Sequence, residues 1–143
     1  MISIEKSVQV NRPPAEVFAY ATDVTKNAEW SADIVRAEQT SPGPVGVGTT
    51  SVLVQKVMGK EMQNGTEVTV YDPPHRFGFK TTSGPVQFEG TQTFEEVPGG
   101  TRLTFSMKGE PGGFFKVAEG LLAKELDKRF ERDLKSLKAK LEG

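Results

Sequence analysis

The chain has 143 residues, the length of one domain with a single hydrophobic core. Its 18 basic and 19 acidic residues leave a net charge of −1, which argues against nucleic-acid binding because such proteins usually carry a basic surplus. The sequence contains no cysteine, so disulfides, thiolate zinc sites and cysteine nucleophiles are excluded.

Export signals and membrane segments are not indicated either. Residues 1–10 alternate apolar and polar side chains and lack the continuous apolar run of a signal peptide. No stretch approaches the ~20 apolar residues that a membrane span needs. We therefore expect a cytoplasmic protein without integral membrane association.

The first elements in chain order are one strand and two short helices. Apolar residues at every second position across residues 2–10 are typical of a half-buried strand. A polar residue and a Pro-Pro pair then precede residues 15–22, whose apolar side chains lie one helical turn apart. A second short helix is predicted over residues 25–31, with Trp30 near its end.

Six strands are predicted next, each closed by glycine, proline or another turn residue. The short connections favour an antiparallel meander, because parallel strands need long crossovers. The predicted strands cover residues 34–40, 49–57, 61–71, 76–82, 86–97 and 101–108.

A long amphipathic helix is predicted over residues 114–141. We expect two charge pairs, Glu125 with Arg129 and Glu131 with Lys135, on its solvent side. The apolar stripe must be buried, and the concave face of the sheet is the only large partner for it. The chain is thus interpreted as one α+β domain spanning residues 1–143. The stripe consists of Phe114, Ala118, Leu121, Leu122, Leu126, Phe130, Leu134, Leu137 and Leu141.

Catalytic and metal-binding patterns are not found. His75 is the only histidine, and it is expected in an exposed turn after Pro73 and Pro74. No set of histidines or carboxylates has the spacing of a metal site or of a paired acid and base. We therefore predict no catalytic residues, no metal and no cofactor.

Uncharged polar residues are predicted to point inward among apolar ones. A dry core disfavours unpaired amides, so a partly wet ligand pocket explains this pattern better. The alternative is that a bulge changes the register or that these groups bond locally. Because side chains alternate along a strand, each of these polar residues shares a face with apolar ones: Ser51 and Gln55 with Leu53, Asn64 with Val68 and Val70, and Gln92 with Phe88.

Several segments together resemble the START-like (SRPBCC) superfamily, in its polyketide cyclase/dehydrase branch. They are residues 8–18 (VQVNRPPAEVF), Trp30, 46–49 (GVGT), 67–77 (EVTVYDPPHRF), 90–94 (GTQTF) and 100–104 (GTRLT). The resemblance implies a helix-grip fold, in which a seven-stranded antiparallel sheet curls around the C-terminal helix. It also implies a pocket, which in relatives takes lipids, sterols, polyketides, plant hormones or quinones, with Trp30 near its entrance.

The preferred function is binding, transport or sensing of a small hydrophobic molecule. One alternative is a cyclase-like enzyme that acts by positioning, with Arg36, Asn64, Gln55 or Gln92 polarising a carbonyl. Another is an interaction module or homodimer that uses Val52 and Val54 on the outer sheet face. Phe114 and Phe115 follow a Gly-Gly hinge and are expected to form a lip of the pocket. The predicted ligand-binding residues are Trp30, Ser51, Leu53, Gln55, Asn64, Val68, Phe77, Phe79, Phe88, Gln92, Phe105, Phe114, Phe115, Ala118 and Leu122.

Overall fold

A curled antiparallel sheet and a long terminal helix make up the structure, a computed structural model. It describes residues 1–112 and 114–143, without the side chains of residues 114 and 115. The sheet has seven strands in the order β1-β7-β6-β5-β4-β3-β2. The elements are β1 Ile2–Val10, α1 Pro14–Ala21, a 3-10 turn Val24–Lys26, α2 Asn27–Trp30, β2 Ile34–Gln39, β3 Thr50–Val57, β4 Lys60–Asp72, β5 Arg76–Ser83, β6 Val86–Val97, β7 Gly100–Pro111, α3 Phe114–Val117 and α4 Glu119–Glu142.

Irregular pairing interrupts the inner strands and changes which side chains face the helix. The β4–β5 register shifts between Val68 and Val70, after which Tyr71 pairs with Phe77. The Tyr71 ring lies 5.7 Å from that of Phe18, on the inner side of the sheet. Since successive side chains alternate, Val70 lies on the outer face, and its predicted inward position is wrong.

The terminal helical segment consists of two helices and not of one continuous helix over residues 114–141. Ala118 leaves the helical conformation, with φ −98° and ψ 24°, and its carbonyl then accepts the first bond of α4 from Leu122. Leu122, Leu126 and Leu137 of α4 are buried against the sheet. Each contributes roughly 1.5–3 kcal/mol from the apolar surface removed from water.

Polar contacts fix both ends of α4 across the sheet. At its start, the Glu119 carboxylate lies 3.0 Å from the amino group of Met1. At its end, Glu142 accepts from the backbone N–H of Asn11 at 2.8 Å, and Lys138 donates to the Gln9 carbonyl at 2.7 Å. The helix is therefore held at a defined height above the concave face. None of the described helices is both long and apolar enough to span a membrane.

The outer sheet face differs from the expected apolar surface. Val54 is only 8% exposed, and Val52 is half-buried. Val54 pairs with Arg36 on one side and with Gln63 on the other, and the stems of such long side chains cover apolar neighbours. The two valines thus do not form the exposed pair that the alternation predicts.

Candidate functional site

A cavity of about 190 Å³ lies between the concave face of the sheet and α4. Its lining residues are buried or half-buried apart from Thr25 on the 3-10 turn, which is exposed, so we place the mouth there. Most of the residues expected in a pocket do line this cavity. They are Trp30, Ser51, Leu53, Gln55, Val68, Phe77, Phe79, Phe88, Gln92, Phe105 and Leu122.

Four residues of the expected set are not placed in the lining. Asn64 pairs with Leu53 and is completely buried, yet it lies under the turn at Gly84 and not against the cavity. Neither polar atom of its amide has a hydrogen-bond partner among the described residues. Ala118 is outside the lining because the helix breaks there. The side chains of Phe114 and Phe115 lie outside the described residues.

Aromatic rings that pack against one another form one wall of the cavity and continue behind it into the core. Phe77, Phe79, Phe105 and Phe130 are in the lining, whereas Phe18, Tyr71 and Phe94 lie behind it. Phe18 approaches Phe94 at 5.0 Å between ring centroids, and Phe105 stacks on Phe130 of α4 at the same distance. Such pairs add about 0.5–1.5 kcal/mol each beyond the area that they bury. The wall is apolar and in part filled by its own rings. We call this set the aromatic cluster: Phe18, Tyr71, Phe77, Phe79, Phe94, Phe105 and Phe130.

Another part of the wall is polar and joins α4 to β3 and to the loop between α2 and β2. Arg129 donates from Nη2 to Oε1 of Gln55 at 2.6 Å. Ser31 donates to the Asp133 carboxylate at 2.7 Å, and Arg132 bridges Asp133 to Asp33. We call this set the polar cluster: Ser31, Asp33, Gln55, Arg129, Arg132 and Asp133.

Arg129 is the unexpected member of the polar cluster. Its side chain is 7% exposed, and burial lowers the pKa of its guanidinium, against the attraction of Asp133 and Asp33. The predicted solvent-side pair with Glu125 is wrong, since Glu125 accepts from the backbone N–H of Met58 at 3.2 Å. A signal was present in the sequence, because Arg129 and Asp133 follow Leu126 at i+3 and i+7, the spacing of the apolar face.

Three polar atoms in the lining have no hydrogen-bond partner among the described residues. They are Nε1 of Trp30, Oε1 of Gln92 and Nε of Arg129, and all three side chains are more than nine-tenths buried. Buried polar groups are nearly always paired, so unpaired ones in a cavity wall indicate groups that a ligand or water satisfies.

Candidate groups for catalysis or metal binding lie elsewhere or are isolated. His75 is exposed on the turn between β4 and β5, and Arg36 is exposed on β2 outside the cavity lining. Glu29 accepts from the hydroxyl of Tyr20 at 3.0 Å. Over the described part of the chain, no group of three or more histidine, aspartate and glutamate side chains is arranged to hold a metal ion.

The curled sheet, the long helix and the cavity between them define the helix-grip fold, which the START superfamily structures share. The sequence profile of the polyketide cyclase/dehydrase and lipid transport family matches residues 1–142, and the chain belongs to that family.

Similar structures share the fold over nearly the whole chain. A protein of Thermus thermophilus is 23% identical, with 97% of this chain and 96% of that chain covered and a TM-score of 0.85. A START superfamily protein of Mycobacterium smegmatis is 16% identical, with 98% and 97% covered and a TM-score of 0.84. The Zhui aromatase/cyclase of a Streptomyces species is 18% identical, with 98% and 93% covered and a TM-score of 0.80.

A curated relative by sequence is an uncharacterized protein of Mycobacterium tuberculosis. It is 26% identical over 131 residues, which cover 87% of this chain and 75% of the relative. The likeness to the solved structures rests on fold, since each of those structures is less than 25% identical.

Proposed function

We propose that the protein binds one small, mainly apolar molecule in the cavity under α4. The cavity itself carries the proposal: about 190 Å³ of space, with aromatic rings on one side and unpartnered polar atoms in its wall. An apolar cavity of ~150 Å³ holds a benzene molecule, whereas drug-sized ligands occupy ~300 Å³ or more. The ligand that fits this space has one or two rings, or a short acyl chain.

The lining also supports binding over simple core packing. A core closes around its own side chains at high density, and unfilled space of this size weakens it. Here Phe77, Phe79 and Phe88 are only partly buried although they lie on the inner face. A ligand in contact with these rings would complete their burial and stabilise the folded state by mass action.

Native mass spectrometry of the gently purified protein, followed by denaturing extraction, tests the proposal directly. We expect an apolar molecule at one copy per chain, or a rise in melting temperature with members of a small aromatic library. If no molecule is bound and the melting temperature does not shift with any member of the library, the proposal is contradicted.

Two matched variants locate the binding site. Ser51 lines the cavity, whereas its neighbour Val52 lies on the opposite face of β3. Ser51→Phe should fill the cavity and weaken binding by about tenfold or more, and Val52→Phe should leave binding nearly unchanged. Equal losses from the two variants would place the ligand elsewhere.

A second candidate function is turnover of a bound carbonyl compound in the same cavity. It is favoured by the unpartnered polar groups of Arg129 and Gln92, which both lie in the cavity lining. Arg36 and Asn64, the other groups expected to polarise a carbonyl, lie outside the lining. The Zhui neighbour is an aromatase/cyclase by name. Recovery of a supplied poly-carbonyl substrate unchanged, by mass spectrometry after prolonged incubation, would exclude this activity for that substrate.

A further inference from the structure

We infer that Arg129 makes the cavity selective for ligands whose polar group is a neutral carbonyl and selects against carboxylates. The inference rests on the proposed function and names the class of ligand that the site takes. It depends on two observations about the polar cluster: a donor without a hydrogen-bond partner on Arg129, which is a residue of the cavity lining, and a charge balance that is already complete.

The free donor belongs to the Arg129 guanidinium. Its Nη2 is used by Gln55, but Nε makes no hydrogen bond within the described chain. The carboxylate oxygens nearest to Nε belong to Asp133 at 3.7 Å and Asp33 at 3.9 Å, beyond hydrogen-bond length. A buried donor without an acceptor is unfavourable, and a ligand oxygen in the cavity would supply one.

Trp30, another residue of the cavity lining, offers a second donor. Trp30 directly precedes Ser31, which is bonded to Asp133, and its Nε1–H is buried without a partner. An indole N–H only donates, as does a guanidinium, so both groups call for an acceptor oxygen in the ligand. A hydrocarbon ligand would leave both donors unsatisfied.

The charge balance decides between a carbonyl and a carboxylate. Arg129 and Arg132 are matched by Asp33 and Asp133 within 4 Å. Glu125 is a third carboxylate near enough to affect Arg129. A ligand carboxylate would therefore enter a site where negative groups already equal or outnumber positive ones, and like charges repel strongly at low dielectric. A carbonyl oxygen accepts the same hydrogen bonds without adding a charge.

Three single-ring probes separate these possibilities: ethylbenzene, acetophenone and benzoate, each titrated into the full chain near neutral pH and followed by NMR. Ethylbenzene tests the apolar cavity alone. We expect acetophenone to bind at least about fivefold more tightly than ethylbenzene, the gain from a hydrogen bond to a charged donor. We expect benzoate to bind more weakly than acetophenone by about tenfold or more.

Variants then assign the selectivity to the polar cluster. Arg129→Gln combined with Asp133→Asn removes one charge of each sign, and the amide oxygen of the new asparagine can still accept from Ser31. We expect this pair to remove the preference for acetophenone over ethylbenzene. Asp133→Asn alone removes a negative charge, and we expect it to raise benzoate affinity by about tenfold.

The outcomes distinguish the two proposals. Ethylbenzene binding without a preference for acetophenone, or benzoate binding as tight as acetophenone, overturns the assignment to Arg129 and leaves the cavity function standing. An unchanged preference in the folded double variant overturns it as well. Failure of all three probes to bind overturns the proposed function, and the selectivity with it.

Discussion

The aromatic cluster and the polar cluster both contribute residues to the wall of the same cavity, but they are stabilised by different interactions. Phe18, Phe94 and their neighbours gain free energy from buried area, which is not directional and tolerates small changes of shape. Arg129 and Asp133 are stable in a buried position only because specific partners satisfy them. We therefore expect the aromatic cluster to accept substitutions that the polar cluster does not.

The largest expected effect is the loss of the buried carboxylate in the polar cluster. Asp133→Ala leaves Arg129 buried beside one fewer counter-charge and removes the acceptor of Ser31. The free energy of unfolding should fall by about 3–5 kcal/mol, measured by urea denaturation. Asp127→Ala is the matched control on the same helix, since its exposed pair with Lys6 contributes less than about 1 kcal/mol. Similar losses in the two variants would refute the contrast.

A conservative change in the aromatic cluster should lower the free energy of unfolding by less. Phe94 is 3% exposed and packs edge-on against Phe18. Phe94→Leu keeps an apolar side chain but a smaller one, so the free energy of unfolding should fall by about 1–2 kcal/mol, less than for Asp133→Ala. The same urea denaturation series measures it. A loss as large as that of Asp133→Ala would mean that ring geometry, and not buried area, stabilises the aromatic cluster.

Arg132, on the exposed side of the polar cluster, should contribute less to the free energy of unfolding than Phe94 does. Arg132 is half exposed, and its pair with Asp33 at 2.9 Å is open to solvent. It also donates to the buried Asp133 carboxylate at 3.2 Å, a hydrogen bond that the amide of glutamine can replace. Arg132→Gln should lower the free energy of unfolding by less than about 1 kcal/mol, and added salt should reduce the difference from the wild type. A larger, salt-independent loss would show that the buried network extends to this residue.

The smallest effect is expected at the Tyr20–Glu29 contact, outside both clusters. Burial, and then the hydrogen bond to Glu29, raise the pKa of Tyr20 from 10.0 to about 12. The neutral phenol is thus favoured by folding, and its contribution is complete below pH 10 and is lost as the pH rises through about 12. Between these values, stability should fall less steeply in Tyr20→Phe than in the wild type. Parallel slopes in urea denaturation would contradict this assignment.

The order of the elements could be predicted from the sequence because it depends on periodicity and turn residues. The alternation of β1 and most of the apolar stripe of α4 are local signals that the fold preserves. Leu121 is the exception: the predicted stripe includes it, but it is 65% exposed, on the first turn after the helix break at Ala118. The aromatic wall followed from the same alternation, since Phe77, Phe79 and Phe105 lie on faces that period two defines.

The features that sequence reasoning missed depend on long-range contacts. The partners of Arg129 lie on β3 and on the segment after α2, far away in the chain, so charge alone suggested a solvent position. The bulge near Val68 and the helix break at Ala118 could not be predicted, because neither changes the spacing of apolar residues in the sequence. Asn64 has the alternation of a cavity residue but is covered by the turn at Gly84, which only the paired strands reveal.

The edge strand β2 bears on how the protein behaves at high concentration. An open sheet exposes unpaired backbone groups at its edges, and these are templates for aggregation through strand addition. Here β2 is short, its pairing is irregular between Ile34 and Arg36, and the exposed Arg36 and Glu38 place charges along it. A second chain that docked there would have to match the bulge and bury those charges. Strand addition at this edge, which lies beside the 3-10 turn at the mouth of the cavity, is therefore disfavoured.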